Sequence, residues 1–476
     1  MAEKYNNVLY HRHQYARIEI FKNHFYIKEY DENVYEIIYK LKRYAESGIK
    51  NYTHSVDLWM KNSGLIIDCD EKKNALRNLF KNSKVAFIYG AAGTGKSTMI
   101  NYISSLFKDK QKIFLANTNP AVENLRRKVT AEHAEIVTIT KFLSKDVSND
   151  CDILCLDECS TISNRDMVRV LQRAQCKLLV LVGDIYQIES ILFGNWFNIA
   201  YKVMPKDSVA ELTRPHRTTV QGLIEVWNKV REITEDRLEF ITRNGLSSTL
   251  DESIFSRTEE DEIVLCLNYD GIYGINNINK FLQSNNVNPS INWGVLSYKV
   301  GDPVLFNESN RFAPLVYNNL KGKILQIEEE EDCIYFTIEV YTVLNELDVI
   351  GFDLELKESV TDETSVIRFK VGRGGDGNDD NDNVENVVPF QVAYAISIHK
   401  AQGLEYESVK VVITSEIEEM VSHNIFYTAI TRAKSKLKIY WSPETEKRIL
   451  ENMKVQFNDK DYQLFKAKYK EALLKS

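Results

Sequence analysis

The stretch GAAGTGKST, Gly90–Thr98, follows the apolar run VAFIY and leads into MINYISSLF, which has helical spacing. It fits G-x-x-x-x-G-K-[ST], and a strand before it with a helix after it is the context that gives this pattern meaning. Glycines at Gly90, Gly93 and Gly95 let backbone N–H groups curl around phosphate oxygens at a helix N-terminus. Thr94 and Thr98 complete the loop. Lys96 is placed to reach β- and γ-phosphates and Ser97 to ligand Mg²⁺, so ATP and Mg²⁺ are the expected cofactors.

Working outward, apolar strands alternate with helical segments: AFIYG, KIFLAN, EIVTIT, DILCLDE and KLLVLVGD. Such alternation predicts a parallel α/β sheet whose functional residues sit at strand C-terminal ends. Asp157 and Glu158 close the strand DILCL. There Asp157 suits a water-mediated Mg²⁺ contact, and Glu158 suits orienting the attacking water. VGDIYQIES, Val182–Ser190, closes the next strand, and its Gln187 is a candidate sensor of the γ-phosphate. Tyr186 has two readings: a platform on which a base stacks, or an ordinary packed ring.

The composition narrows the field. At 476 residues, 44% of them hydrophobic, the chain should hold about three domains. No apolar run approaches the roughly 20 residues that span a bilayer. The opening MAEKYNNVLYHRHQY lacks a signal-peptide core, so a cytoplasmic location is expected. The net charge of −8 argues against coating duplex DNA by bulk charge, although a groove lined locally by Lys and Arg remains compatible. Seven cysteines, with Cys151, Cys155 and Cys159 in or beside an apolar run and no CxxC pair, predict reduced core thiols rather than a metal site.

Residues 1–65 are expected to form a small packed α+β cap. RIEIFK and FYIKEY predict a hairpin turning at Asn23-His24, and Val34, Ile37, Ile38, Leu41 and Tyr44 follow helical spacing. His11 and His13 have no partnering carboxylate motif and are expected on the surface. A second α/β unit starts near EIVLCLN and returns with VKVVITS and KLKIYW. Between these, WGVLSYKVGDPVLFNES through CIYFTIEVYTV predicts an inserted small β-barrel. Glu328–Asp332 should be a solvated turn, Gly372–Asn386 has the composition of a disordered loop, and the tail from Pro443 should be a solvated packing helix.

Further pieces carry a resemblance: ANTNPAVENLRRK (Ala116–Lys128), LTRPHRT (Leu212–Thr218), AYAISIHKAQGLEYESV (Ala393–Val409) and FYTAITRAKSKLKIY (Phe426–Tyr440). With the motifs above, they resemble superfamily 1 helicases, in particular the RecD-like and Dda-like branch, 1B, over about residues 66–442. The resemblance implies two RecA-like parallel-sheet motor domains. The implied boundaries are 66–215 for the first and 216–293 with 389–442 for the second. KVGDPVLFNESN and VYNNLKGKI further resemble the SH3-like barrel of that branch, inserted at 294–388, which leaves 443–476 as a helical tail. On this resemblance Arg217 and Arg432 match the arginines that reach the γ-phosphate. Gln402, Gly403 and Glu405 fall in the motif linking nucleotide to nucleic acid, with Glu405 toward the ribose. Thr118, Asn119 and His399 match positions along the strand path.

Three departures stand out. Relatives carry a Gln before the phosphate loop to recognise adenine, where this chain has DEKKNAL with Lys72; and His216 replaces the usual Tyr before the first arginine, adjoining the base pocket. Both predict weaker selectivity for ATP. Only Lys141–Asp150 is available where relatives insert a pin-bearing hairpin, which predicts weak unwinding by the isolated protein. The expected activity is an ATP-dependent single-stranded DNA translocase or helicase, moving 5′ to 3′ by resemblance. The alternatives are a motor acting on RNA and an ATP-switched scaffold that recruits a partner nuclease, since no nuclease motif is evident in the chain.

Overall fold

The computed structural model describes residues 2–22, 24–91, 93–144, 149–188, 193–214, 218–307, 311–313, 315–359, 361–373, 386–454 and 459–474. The chain forms two compact units. One comprises Met1–Ile224, His423–Tyr427 and Lys454–Ser476; the other comprises Glu225–Ser422 and Thr428–Met453.

In the first unit, β1 (Ile18–Phe21) and β2 (His24–Ile27) form an antiparallel hairpin. The turn falls one residue earlier than expected: Phe21 pairs with His24, and Lys22 takes a left-handed φ of 52°. The main sheet follows, built from β3 (Val85–Gly90), β4 (Lys112–Ala116), β5 (Ala134–Thr138), β6 (Asp150–Leu156), β7 (Gln175–Gly183) and β8 (Val209–Leu212). It is parallel throughout, in the order β5-β4-β6-β7-β3-β8.

Alternation along these strands feeds two cores. Phe87, Tyr89, Leu154, Leu156, Leu179 and Leu181 face one way, against Trp196, Phe197, Val34, Ile37 and Phe465. Ala86, Ile88, Ile153, Cys155, Val180 and Val182 face the other, against Leu76, Met99, Ile103 and Leu125. A sheet covered on both faces requires such runs of apolar residues. The stripe Val34, Ile37, Ile38 and Leu41 on the helix Lys28–Ala45 thus completes a sheet core instead of forming one of its own. The C-terminal helix Asp459–Leu474 packs on the same unit. It buries Leu464 and Phe465, and Lys468 and Tyr469 donate to Asp31 at 2.5 and 2.7 Å.

The second unit contains β9 (Ser247–Ser248), β10 (Glu262–Cys266), β11 (Ser290–Trp293), β12 (Leu296–Lys299), β13 (Pro303–Phe306), β14 (Lys321–Glu329), β15 (Cys333–Val340), β16 (Glu355–Lys357), β17 (Ser365–Gly372), β18 (Phe390–Val392), β19 (Ala395–Ser397), β20 (Tyr406–Val412) and β21 (Ala433–Tyr440). A parallel sheet runs β19-β10-β20-β21-β9. The insert is antiparallel, ordered β16-β17-β15-β14-β13-β18 around its own core of Phe306, Phe312, Phe336, Phe369 and Phe390. Among the described residues its pairing runs from β16 to β18. Most of the acidic run Gly372–Asn386 lies outside the described residues, while Glu328 and Glu329 pair with Arg368 and Arg373.

Asp302 anchors the base of the insert. Fully buried, it accepts from Tyr394 Oη at 2.8 Å, Gln283 Nε2 at 2.6 Å, Asn286 Nδ2 at 2.9 Å and the Lys299 amide at 2.9 Å. Removing the carboxylate strands four donors, so Asp302→Ala should destabilise this unit by about 3 kcal/mol or more. Chemical denaturation followed by Trp fluorescence measures it, and a change within about 0.5 kcal/mol would contradict it.

Cys151, Cys155 and Cys159 are buried packing residues of the first unit. Burial pushes the Cys151 thiol up to about 12 and raises Cys155 and Cys159 as well, which makes them poor nucleophiles. No helix among the described residues is long and apolar enough to cross a membrane.

Candidate functional site

The phosphate loop joins β3 to the helix Lys96–Leu106. Gly93 and Gly95 hold φ of 77° and 84°, a region that side chains strongly disfavour. Gly90 is required by space, because a Cβ there would lie 2.4 Å from Thr94 Oγ1 and 3.0 Å from the Leu212 carbonyl. The Thr94 hydroxyl donates to the Ala91 carbonyl at 3.0 Å. Lys96 Nζ arches over the loop, 2.8 Å from the Gly90 carbonyl and 2.9 Å from that of Ala91. Ser97 and Thr98 occupy the first turn of the helix, among the N–H groups that have no partner within it.

Asp157 and Glu158 follow β6. The Asp157 amide donates to the Leu115 carbonyl, and its Oδ1 accepts from the Glu158 amide, both at 2.8 Å. Burial raises the Asp157 carboxyl; the Glu158 amide and the charges of Lys96 and Lys128 oppose that shift. Lys96 and Asp157 therefore feel one another across the loop. Glu158 is held at φ 52°, a costly conformation for a residue with a side chain, while its carbonyl accepts from the Thr161 amide and hydroxyl. Gln187 comes four residues after β7, its amide donating to the Asp184 carbonyl at 3.3 Å.

Lys96, Asp157 and Gln187 thus lie beyond the C-terminal ends of β3, β6 and β7, which are neighbours in the sheet. Thr118 and Asn119 follow β4 and are exposed; Thr118 caps the helix Asn119–Lys128 by accepting from the Ala121 amide at 3.4 Å. The Tyr186 ring packs edge-on against His423 and Tyr427, with centroids 6.1 and 6.3 Å away. His216 and Arg217 lie outside the described residues, as do four residues, 145–148, of the stretch Lys141–Asp150.

In the second unit Glu405 and Arg432 immediately precede β20 and β21, which pair from Tyr406 opposite Ala433. The Arg432 guanidinium is buried and donates to the carbonyls of Thr428 (2.9 Å) and Leu404 (3.2 Å) and to Thr431 Oγ1 (3.2 Å). Gln402 and Gly403, the latter at φ 79°, make the turn that brings the chain back to Glu405. His399 is exposed and follows β19, past the C-terminal edge of that sheet, so the structure separates it from Glu405 and Arg432.

Two contacts were not foreseen. Lys72 is wholly buried, with Nζ 2.5 Å from Asp68 Oδ2. Its ammonium packs on the phosphate loop so closely that a Cβ on Gly95 would lie 2.4 Å away. Sequence placed Lys72 near the loop, but an i,i+4 acid gives no hint of burial. In the second unit Lys321, at the start of β14, donates to Asp261 at 2.6 Å and to the Glu405 carbonyl at 3.2 Å, over the Tyr406 ring. Burial lowers the Lys321 ammonium and Asp261 opposes that shift. The insert is thereby tied to the Gln402–Glu405 turn.

Residues 69–251 match the AAA domain family, and residues 392–440 match the UvrD-like helicase C-terminal domain. The chain is 24% identical over 449 residues to the uncharacterized protein MJ1519 of Methanocaldococcus jannaschii, covering 77% of this chain and 37% of that protein. It is 23% identical to the RecBCD enzyme subunit RecD of Buchnera aphidicola, covering 81% and 78%. Against the ATP-dependent DNA helicase Pif1 of Campylobacter jejuni it is also 23% identical, covering 74% and 88%. It therefore spans about a third of MJ1519 and most of the other two.

Proposed function

The chain belongs to the RecD-like and Pif1-like helicases of superfamily 1B, and from that premise we propose that it is an ATP-driven motor on single-stranded DNA, moving 5′ to 3′. The observation that carries this reading is the row Lys96, Asp157 and Gln187 beyond three adjacent strands of one parallel sheet. Loop amides and Lys96 bind the triphosphate. Glu158, fixed by its strained backbone, takes the proton from the attacking water. Gln187 reports the state of the γ-phosphate. Ser97 and Asp157 offer the hard oxygen donors that suit Mg²⁺, which when bound neutralises phosphate charge. Arg217 and Arg432 act as the arginine fingers, and Gln402, Gly403 and Glu405 link nucleotide to strand. Thr118, Asn119 and His399 line the strand path. The motor works in the cytoplasm, where its cysteines stay reduced.

Displacement of streptavidin from biotinylated single strands tests the direction. A 5′-to-3′ motor clears the 3′ end much faster than the 5′ end. Faster clearance at the 5′ end, or none at either, would contradict the proposal.

Base selectivity is the finer point. The Lys72 ammonium is committed to Asp68 and the loop, so it does not reproduce the paired donor and acceptor of a glutamine amide. Values of kcat/KM for ATP, GTP, CTP and UTP should therefore agree within about tenfold, the discrimination of one modest contact. Strict preference for ATP would show that Lys72 and Asp68 together read adenine.

A further inference from the structure

Among residues 2–28 five cations face two carboxylates, a local charge of +3 in a chain of −8. Lys4, Arg12, Arg17 and Lys22 are exposed, and none of them enters an ion pair among the described residues. Of the two acids, Glu19 accepts from Tyr26 Oη at 2.9 Å. The segment is built as one piece: the Asn6 side chain both donates to and accepts from the Ile18 backbone, at 2.8 and 2.9 Å.

Aromatic rings stand among these cations. Tyr10 is 75% exposed with the Arg12 guanidinium over it, and Phe25 is 69% exposed across the hairpin from exposed Ile20. Rings left in water at this density cost hydration without contributing to either core. Beside Phe25 the surface opens into a cleft of about 420 Å³ lined also by Tyr26, Tyr30 and Phe193, the last two stacked at 4.2 Å. Its acids are engaged: Asp31 by Lys468 and Tyr469, and Asp461 by Asn195.

Exposed cations interleaved with exposed rings suit a strand whose phosphates are accessible and whose bases are unpaired. We propose that residues 2–28 form a second single-stranded nucleic-acid contact surface, with Arg12, Arg17 and Lys22 on phosphates and Tyr10 and Phe25 under bases. This rests on the motor reading for its ligand class. It assigns the N-terminal segment a grip separate from the residues that follow the sheet strands.

The test is fluorescence anisotropy of labelled oligo-dT across a salt series, with full-length protein and no nucleotide. Arg12→Glu/Arg17→Glu/Lys22→Glu should flatten the slope of log affinity against log salt by about 2, near the value for three lost single-strand contacts. Tyr10→Ala/Phe25→Ala should weaken oligo-dT binding by about tenfold or more, while a blunt duplex, whose bases are stacked on each other, should be much less affected. Both variants alter exposed side chains, and thermal unfolding should match the wild type. Wild-type affinity and slope in both variants would overturn the surface alone. A wild type that binds no oligonucleotide would overturn the surface and the motor reading together.

Discussion

Arg432→Ala should lower DNA-stimulated ATP turnover by about 10³-fold or more, the range for loss of an arginine finger. The side chain is held in one geometry. Its fork is fixed by the carbonyls of Thr428 and Leu404, the latter within the segment that carries Gln402, Gly403 and Glu405. The same burial means that the Ala variant takes a buried donor from each of those carbonyls, although Thr431 Oγ1 still donates to Thr428, and some stability should be lost with the activity. Arg432→Lys separates the effects. It keeps a cation and much of the packing but not the planar fork, so it should recover stability while remaining severely impaired in turnover. A Lys variant that turns over like the wild type would reduce Arg432 to a structural residue.

Glu158→Gln should reduce turnover by about 10²–10⁴-fold, the usual contribution of a general base, with nucleotide binding retained. Gln has the size and polarity of Glu but cannot accept the proton. The backbone at φ 52°, clamped by Thr161, would hold the amide where the carboxylate was. Stopped single-turnover assays alongside binding of a fluorescent nucleotide read the two quantities separately. Wild-type turnover, or lost binding with normal turnover at saturation, would remove Glu158 from the chemistry.

Much of the first sheet was legible because its strands are covered on both faces, so apolar runs such as VAFIY and KLLVLV announce themselves. β8 was not, since Val209–Leu212 is a short edge strand of four residues with a polar Glu211 among its apolar ones. The turn at Lys22 slipped by a residue because no glycine marks it. Where the tail packs was not readable, because Leu464 and Phe465 are set among charges, and only the cleft against Asp31 and Ile199 shows where they go. At the site, loop and strand-end residues followed from local pattern. Lys72 against Gly95 and Lys321 on the Glu405 carbonyl depend on contacts between distant segments, which spacing does not encode.

In the proposed motor, a nucleotide held by Lys96 is hydrolysed in response to a single strand. Steady-state ATP hydrolysis by wild type and Lys96→Ala, each with and without single-stranded DNA, tests it most directly. DNA should strongly stimulate the wild type, and the variant should lose nearly all of both rates. Wild-type hydrolysis indifferent to DNA, or a Lys96→Ala protein that still responds to it, would contradict it.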